Sequence, residues 1–228
     1  MTDNSKSFFE FEAVISSWEI LLKGFAVAMF AATLATALAI ILGLVVALMR
    51  LSTVAIYRWI AFAFTQFFRG VPLYVLLVWV YFGLAIAVNI NLSAILAGVA
   101  SLALLNAGYL SETFRSGILA IDSGQIEAGL ALGMSKQDVF KEIVLPQAFR
   151  IIIPPMGNQY VDAIKDSAIL SIIGVPELMR ESQQLANLNY QPFEFYTCAG
   201  LLYLIAVALV SRGTNRLEKR FCTQGAQN

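Results

Sequence analysis

The stretch Gly124–Pro146, GQIEAGLALGMSKQDVFKEIVLP, decides how the chain is read, because it is an island of charge and small residues between long apolar segments. Glu127, Lys136, Asp138, Lys141 and Glu142 stand there among regularly spaced apolar residues. The pattern predicts two short helices with a bend. The first runs from about Gln125 to Leu132 and stops at Gly133, a residue suited to the left-handed conformation that ends helices. The second starts at Ser135, whose hydroxyl can cap the free N–H groups, with Asp138 three positions on in a capping-box-like arrangement. Pro146 is expected to force a break or a new start. A polar helix pair in so apolar a chain is a projection into water, and it wants a partner.

Composition sets the solvent. The 228 residues are 59% hydrophobic and 13% charged, with a mean hydropathy of +0.74. Soluble domains carry about 25% charged residues, so the excess apolar surface needs lipid. The length accommodates five or six membrane helices of about 20 apolar residues each. Formal net charge is zero, which gives no electrostatic footprint for nucleic acid. The chain has no histidine and two cysteines, which removes the usual zinc, haem and iron–sulfur ligand sets. Cys198 and Cys222 are too far apart along one helix to bridge. The opening residues lack the basic start and apolar core of a cleaved signal, so the first membrane helix is expected to stay as an anchor.

Taken in order, residues 1–19 form an N-terminal interfacial segment. Phe8, Phe9, Glu10, Phe11, Glu12, Trp18 and Glu19 fit a short helix at the bilayer edge. The first span covers 20–49. The second runs from about Tyr57 to Val88, with a shallow amphipathic start that Gly70 and Pro72 redirect. The third runs from about Leu92 to Ile121 and turns polar in its second half. A fourth starts near Ala148 and is interrupted by Pro154-Pro155 and Gly157. An irregular connection through Gly174, Pro176 and ELMRES leads to a fifth, Phe193 to Ser211, and a tail at 221–228. With five spans, ten basic residues fall on the side of the 124–146 loop and three (Lys6, Lys23, Arg180) on the other. The positive-inside rule then puts the N-terminus outside, and the loop and C-terminus in the cytoplasm.

The spacing Glu127-Ala128-Gly129, three residues, Gly133, nine residues, Ile143, one residue, Leu145-Pro146 resembles the EAA loop of the membrane subunits of ATP-binding-cassette (ABC) importers. RGVPL (Arg69–Leu73), YLSETFRSGI (Tyr109–Ile118), LPQAFR (Leu145–Arg150), KDSAILSIIGVPEL (Lys165–Leu178) and the last span with Tyr203 are similar to the polar amino acid branch. The match covers roughly residues 20–220. Gly129 departs from a second alanine and should loosen the first short helix by about 1 kcal/mol at most. The resemblance implies an all-α membrane protein, type I importer-like, in the cell inner membrane. It implies a second permease chain, identical or paralogous, two ATPase subunits that hold ATP and magnesium, and an external substrate-binding protein; no cofactor belongs to this chain. It makes the loop a coupling helix for the ATPase: Glu127 for polar contacts and Leu130, Met134 and Phe140 as apolar knobs, with Ala128, Gly129, Gly133, Ile143, Leu145 and Pro146 completing the motif.

Intramembrane charge marks a second constellation. Glu112 and Arg115 lie three residues apart on the third span, and Asn158, Asp162, Lys165 and Asp166 recur at helical spacing on the fourth, with Ser167 following. Charges at such depth are costly and face a bundle interior or a wet cavity. They fit a path for a zwitterion, with Lys165 or Arg115 for a carboxylate and Glu112, Asp162 or Asp166 for an amino group. The plainer alternative is that Glu112–Arg115 and Asp162–Lys165 only neutralise each other. Depth along the helices favours substrate contact for the Asp162 set and an ion pair or gate for Glu112–Arg115. Asp162 adds a carboxylate where the resembled motif is often neutral, a modest bias toward basic amino acids. Arg69-Gly70-Val71-Pro72 reads as a helix bend with a snorkelling arginine. No GxxxxGK[ST] loop and no histidine-based nucleophile is present, so the chain is expected to hydrolyse nothing itself. The expectation is an amino acid import permease worked by separate ATPases. The rivals are a proton-coupled secondary transporter and a passive ATPase anchor.

Overall fold

The longest helix of the chain turns small residues inward and many large apolar ones outward, the reverse of what water would select. The computed structural model describes residues 11–222; the sequence positions before Phe11, Phe8, Phe9 and Glu10 among them, and the tail from 223 lie outside that range. After a short α1 (Glu12–Ser16), the long α2 (Trp18–Leu51) turns Ala28, Ala31, Ala32, Ala35, Ala39 and Ala47 inward. It turns Phe30, Leu34, Leu38, Ile41, Leu44 and Leu48 outward. Small residues let backbones approach closely in a bilayer, where lipid already solvates leucine. The main partner of α2 is α5 (Ala94–Leu119), whose own small residues Ala97, Gly98, Ala103, Ala107 and Gly108 are buried.

Between them, α3 (Ala55–Gly70) and α4 (Leu73–Val88, with one wide π turn at Trp79–Gly83) are bent by 107° at Val71-Pro72, as Gly70 and Pro72 led one to expect. Arg58 Nη1 donates to the carbonyls of Ser52 (3.0 Å) and Thr53 (2.7 Å), closing the end of α2. Among the described residues, Trp18–Leu51, Ala94–Leu119 and Pro192–Arg216 are each long and apolar enough to cross a membrane, and the bent pair would make a fourth.

The loop after α5 forms as its residues dictate. Asp122 accepts from the Gly124 N–H (2.7 Å) and opens α6 (Ser123–Ala131). Gly133 takes φ +86°. Ser135 Oγ accepts from the Asp138 N–H (3.2 Å) and donates to Asp138 Oδ2 (2.6 Å), starting α7 (Lys136–Asp138). The prolines behave otherwise than expected. Pro146 neither breaks nor restarts the chain: wide π turns at Val139–Val144 run without interruption into α8 (Leu145–Asp166). A π turn shifts carbonyls off the i−4 register, which removes the clash that a proline ring causes. Pro154 and Pro155 lie inside α8, so the expected interruption is absent and the helix starts at Leu145 rather than near Ala148. Gly157 is a place of close approach and not a break: a Cβ there would lie 2.0 Å from Thr214 Cγ2.

A 3₁₀ segment, Ser167–Ile173, ends at Gly174 (φ +85°). The buried Glu177 then caps α9 (Leu178–Asn189), accepting from the N–H groups of Met179 (2.9 Å) and Arg180 (2.8 Å) and from the Tyr203 hydroxyl (2.9 Å). Burial pushes its carboxyl up, against these hydrogen bonds, which draw it down. Tyr203 belongs to α10 (Pro192–Cys222), which continues past the expected end at Ser211.

Candidate functional site

Two adjoining cavities open where α8 faces α5 and the α3–α4 bend. The smaller, ≈ 310 Å³, is lined by Arg69, Tyr109, Glu112, Asn158, Gln159 and Asp162, with Thr113, Ser116 and Pro155 at its edge. The larger, ≈ 540 Å³, shares Arg69, Tyr109, Gln159 and Asp162 and adds Asp166, Leu105 and the bend from Gly70 to Leu73. The α8 residues gather there because 155, 158, 159, 162 and 166 recur at helical spacing and form one stripe. The wall behind is fixed by polar residues satisfied in place. Asn106 Nδ2 donates to Leu102 O (2.8 Å), and the Gln159 amide donates to Asn106 Oδ1. Thr65 and Ser111 pair at 3.0 Å between α3 and α5.

Arg69, read from the sequence only as an arginine at a helix bend, stands at that bend and faces the cavities as well. It lines both cavities, with its guanidinium 5.3 Å over the Tyr109 ring, and has no carboxylate within ion-pair distance among the described residues. Its partners are about 40 and 90 positions away in sequence, and only the RGVPL motif marked it. Tyr109 and Gln159 were missed for the same reason. Of the residues expected here, Glu112, Asn158, Asp162 and Asp166 are brought together. Three are not. Arg115 pairs with Glu112 and lines neither cavity. Lys165 Nζ bonds Asp162 Oδ1 (2.7 Å) from a separate pocket beside Met179, Tyr196 and Tyr203. Ser167 is fully buried, donating to Ile164 O (2.7 Å).

At the far end of α8 the loop presents Glu127, Ala128, Leu130, Phe140, Leu145 and Pro146 at the surface, with Gly133 at the turn. Leu130 and Phe140 flank a groove of ≈ 500 Å³ that also holds Lys136 and Val139. Leu132, not expected to matter, is the most open apolar side chain of the loop, 84% exposed. Met134 and Ile143 are half-buried inside the bend, so Met134 is a strut and not an outward knob. Gly129 is buried between them: a Cβ would meet Ile143 Cδ1 at 2.8 Å and Val139 Cγ2 at 3.0 Å. The departure from alanine therefore permits a close crossing here, a packing role that propensity alone does not reveal. Gln147 Nε2 donates to Gln125 Oε1 (2.7 Å) and Ile143 O (2.9 Å), tying both arms.

A bent, all-helical chain with a polar cavity and a projecting loop now meets its relatives. The family model described as binding-protein-dependent transport system inner membrane component matches residues 39–221. The chain belongs to that family. This permease is similar to the arginine transport system permease protein ArtQ of Bacillus subtilis, 37% identical over 92% of this chain and 96% of ArtQ. It is 31% identical to the glutamine transport system permease protein GlnP of Escherichia coli, over 93% of this chain and 97% of GlnP. Among solved structures, a crystal structure of an amino acid ABC transporter with histidines superposes with a TM-score of 0.89 at 30% identity, covering 94% of this chain and all of that one. The MetNI methionine ABC transporter shares the fold, with a TM-score of 0.77 at 20% identity over 90% of this chain and 98% of that one. The permease has the type I ABC importer fold and is a transport component, not an enzyme.

Proposed function

We propose that this permease carries polar amino acids, with a modest preference for basic ones, through the cavity between Arg69 and Asp162. The observation that carries this reading is charge placement: a guanidinium without a carboxylate partner among the described residues shares both adjoining cavities with Asp162, with Glu112 on the wall of the smaller and Asp166 on that of the larger. A zwitterion needs one cation for its carboxylate and an anion for its ammonium group, and Arg offers the carboxylate a planar, bidentate donor. Asn158 and the bend at Gly70–Leu73 supply neutral polar groups beside them. The surplus of carboxylates favours a cationic side chain, and the relatives named for arginine and glutamine transport lend support.

In this reading five helical units cross the inner membrane: α2, the bent α3–α4, α5, α8 and α10. The N-terminus is outside, and the 124–146 loop lies in the cytoplasm. The permease works as a pair, with itself or a close relative, on two ATPase subunits that bind ATP and magnesium, and receives solute from an external binding protein. ATP binding draws the ATPases together and carries the two loops inward; the bundles tilt and the cavity opens outward, and hydrolysis returns it. Glu127, Ala128, Leu130, Leu132 and Phe140 form the seat, with Gly129, Gly133, Met134, Ile143, Leu145 and Pro146 giving it shape.

The test is co-reconstitution with the ATPase in liposomes, screening amino acids for stimulated hydrolysis and uptake. Basic and polar amino acids are expected to stimulate, and uptake driven by a pH gradient without ATPase would defeat the proposal. Glu127→Lys is expected to dissociate or uncouple the ATPase while the membrane fold stays intact, seen as lost co-purification with unchanged thermal unfolding. Wild-type transport in that variant removes Glu127 from the seat.

A further inference from the structure

The face of α8 turned away from the cavity borders a second space. It is a groove of ≈ 560 Å³ between α2, α8 and α10, walled by Ala37 and Ile40, by Ile153 and Met156, and by Thr214. Its lining is apolar apart from a few hydroxyls. Two of these, Thr33 Oγ1 and the Tyr160 hydroxyl, bond each other at 2.8 Å and are thereby occupied. The walls continue outward into exposed Leu34, Leu38 and Ile41 of α2 and Leu209 of α10. That rim is lipid-facing by composition.

Length and charge say what fills it. From Phe149 to Tyr160 the groove follows twelve residues of α8, a rise of about 16 Å, close to the thickness of one leaflet, about 15 Å. Next to Phe149 at the loop end of that run, Arg150 shares the stripe of Ile153, Gly157 and Tyr160 by its i, i+3, i+7 and i+10 spacing. It is half-buried and has no carboxylate within ion-pair distance among the described residues. A cation at the headgroup end of an apolar slot one leaflet deep matches an anionic phospholipid in both charge and length.

We infer that the groove holds one acyl chain of an anionic phospholipid of the inner leaflet, with its phosphate at Arg150. The choice of leaflet rests on the orientation proposed above. The bound chain props the back of α8, whose front carries Asn158 and Asp162. Thr36, whose buried Oγ1 lacks a hydrogen-bond partner, also lines the groove. An acyl chain makes no use of that hydroxyl, which separates a lipid from a ligand bearing a hydrogen-bond acceptor.

The test is native mass spectrometry of the full permease–ATPase complex after equilibration with phosphatidylglycerol or phosphatidylcholine of identical chains. It reads lipid retention without transport, so it stands or falls apart from the substrate assignment. One phosphatidylglycerol per permease chain is expected to stay bound. Arg150→Gln should cut the preference over phosphatidylcholine by about fivefold. Ala37→Phe, or the smaller Ala37→Leu if the first fails to assemble, should displace the lipid, and Thr36→Val should leave it in place. Equal retention in both Ala37 variants, or no change in headgroup preference with Arg150→Gln, overturns the inference. Loss of binding with Thr36→Val would mean an acceptor-bearing ligand instead. A disulfide between Ala37→Cys residues of two permease chains would mean that protein covers the groove, and would also overturn it.

Discussion

Glu112–Arg115 and Asp162–Lys165 are both (i, i+3) ion pairs on the polar parts of apolar helices, and their sequences give no reason to treat them differently. Their surroundings do. Glu112 receives Arg115 on its own helix and Arg50 Nη2 from α2 at 3.8 Å, and Arg50 also lies 5.1 Å over the Phe62 ring of α3. Two helices meet on the carboxylate and a third joins through Arg50, with the three charged side chains only 17–30% exposed. Asp162 and Lys165 are more than half exposed, belong to one helix and face different pockets. The first cluster is a clasp between helices. The second leaves a carboxylate open to whatever enters. Spacing identifies a pair; the count of elements that meet on it decides whether it holds the fold or faces a solute.

That contrast leaves Arg69 as the cation facing the cavities, because Arg115 is locked to Glu112 and Lys165 lines a separate pocket. Arg69→Gln should produce the largest effect, lowering apparent affinity for amino acids roughly 10–100-fold in liposome uptake, the loss of a charge-assisted hydrogen bond. Unchanged affinity would return the role to Lys165. Glu112→Gln comes next. It leaves Arg50 and Arg115 without their shared anion and should lower stability by about 1–2 kcal/mol, a figure reduced for partial exposure. Thermal unfolding of the purified complex checks this, and a variant as stable as the parent would make Glu112 a solute contact instead of a clasp.

Asp162→Asn should leave stability alone and shift the ratio of cationic to neutral amino acid uptake by about fivefold toward neutral. Equal losses for every solute would mark the residue as structural. Lys165→Met is expected to be the mildest, within about 0.5 kcal/mol of parent stability, since exposed pairs contribute little. A collapse of transport in that variant would blur the distinction between the two pairs.

What was legible in the chain follows the reach of each interaction. The Ser135–Asp138 cap, the left-handed turn at Gly133 and the redirection at Gly70-Val71-Pro72 involve neighbours a few residues apart, and sequence announced them. The prolines of α8 misled because the local rule says that proline breaks a helix. The rule holds where water competes for freed carbonyls; inside a bundle, packing such as Gly157 on Thr214 retains the helical path. Arg69 was taken for a bend residue because Tyr109, Gln159 and Asp162 come near it only after three helices have folded. Gly129 looked like a weak point since propensity alone was visible; its tight seat against Val139 and Ile143 is a tertiary fact.

The unbroken helical run from the π turns at Val139 to the end of α8 at Asp166 has a mechanical consequence. These 28 residues make one rod about 40 Å long. Moving as one body, it would sweep the carboxylates at its top through about 7 Å for a tilt of about 10° at its foot. The same twist would swing the polar stripe and the greasy stripe together, like opposite sides of a crank.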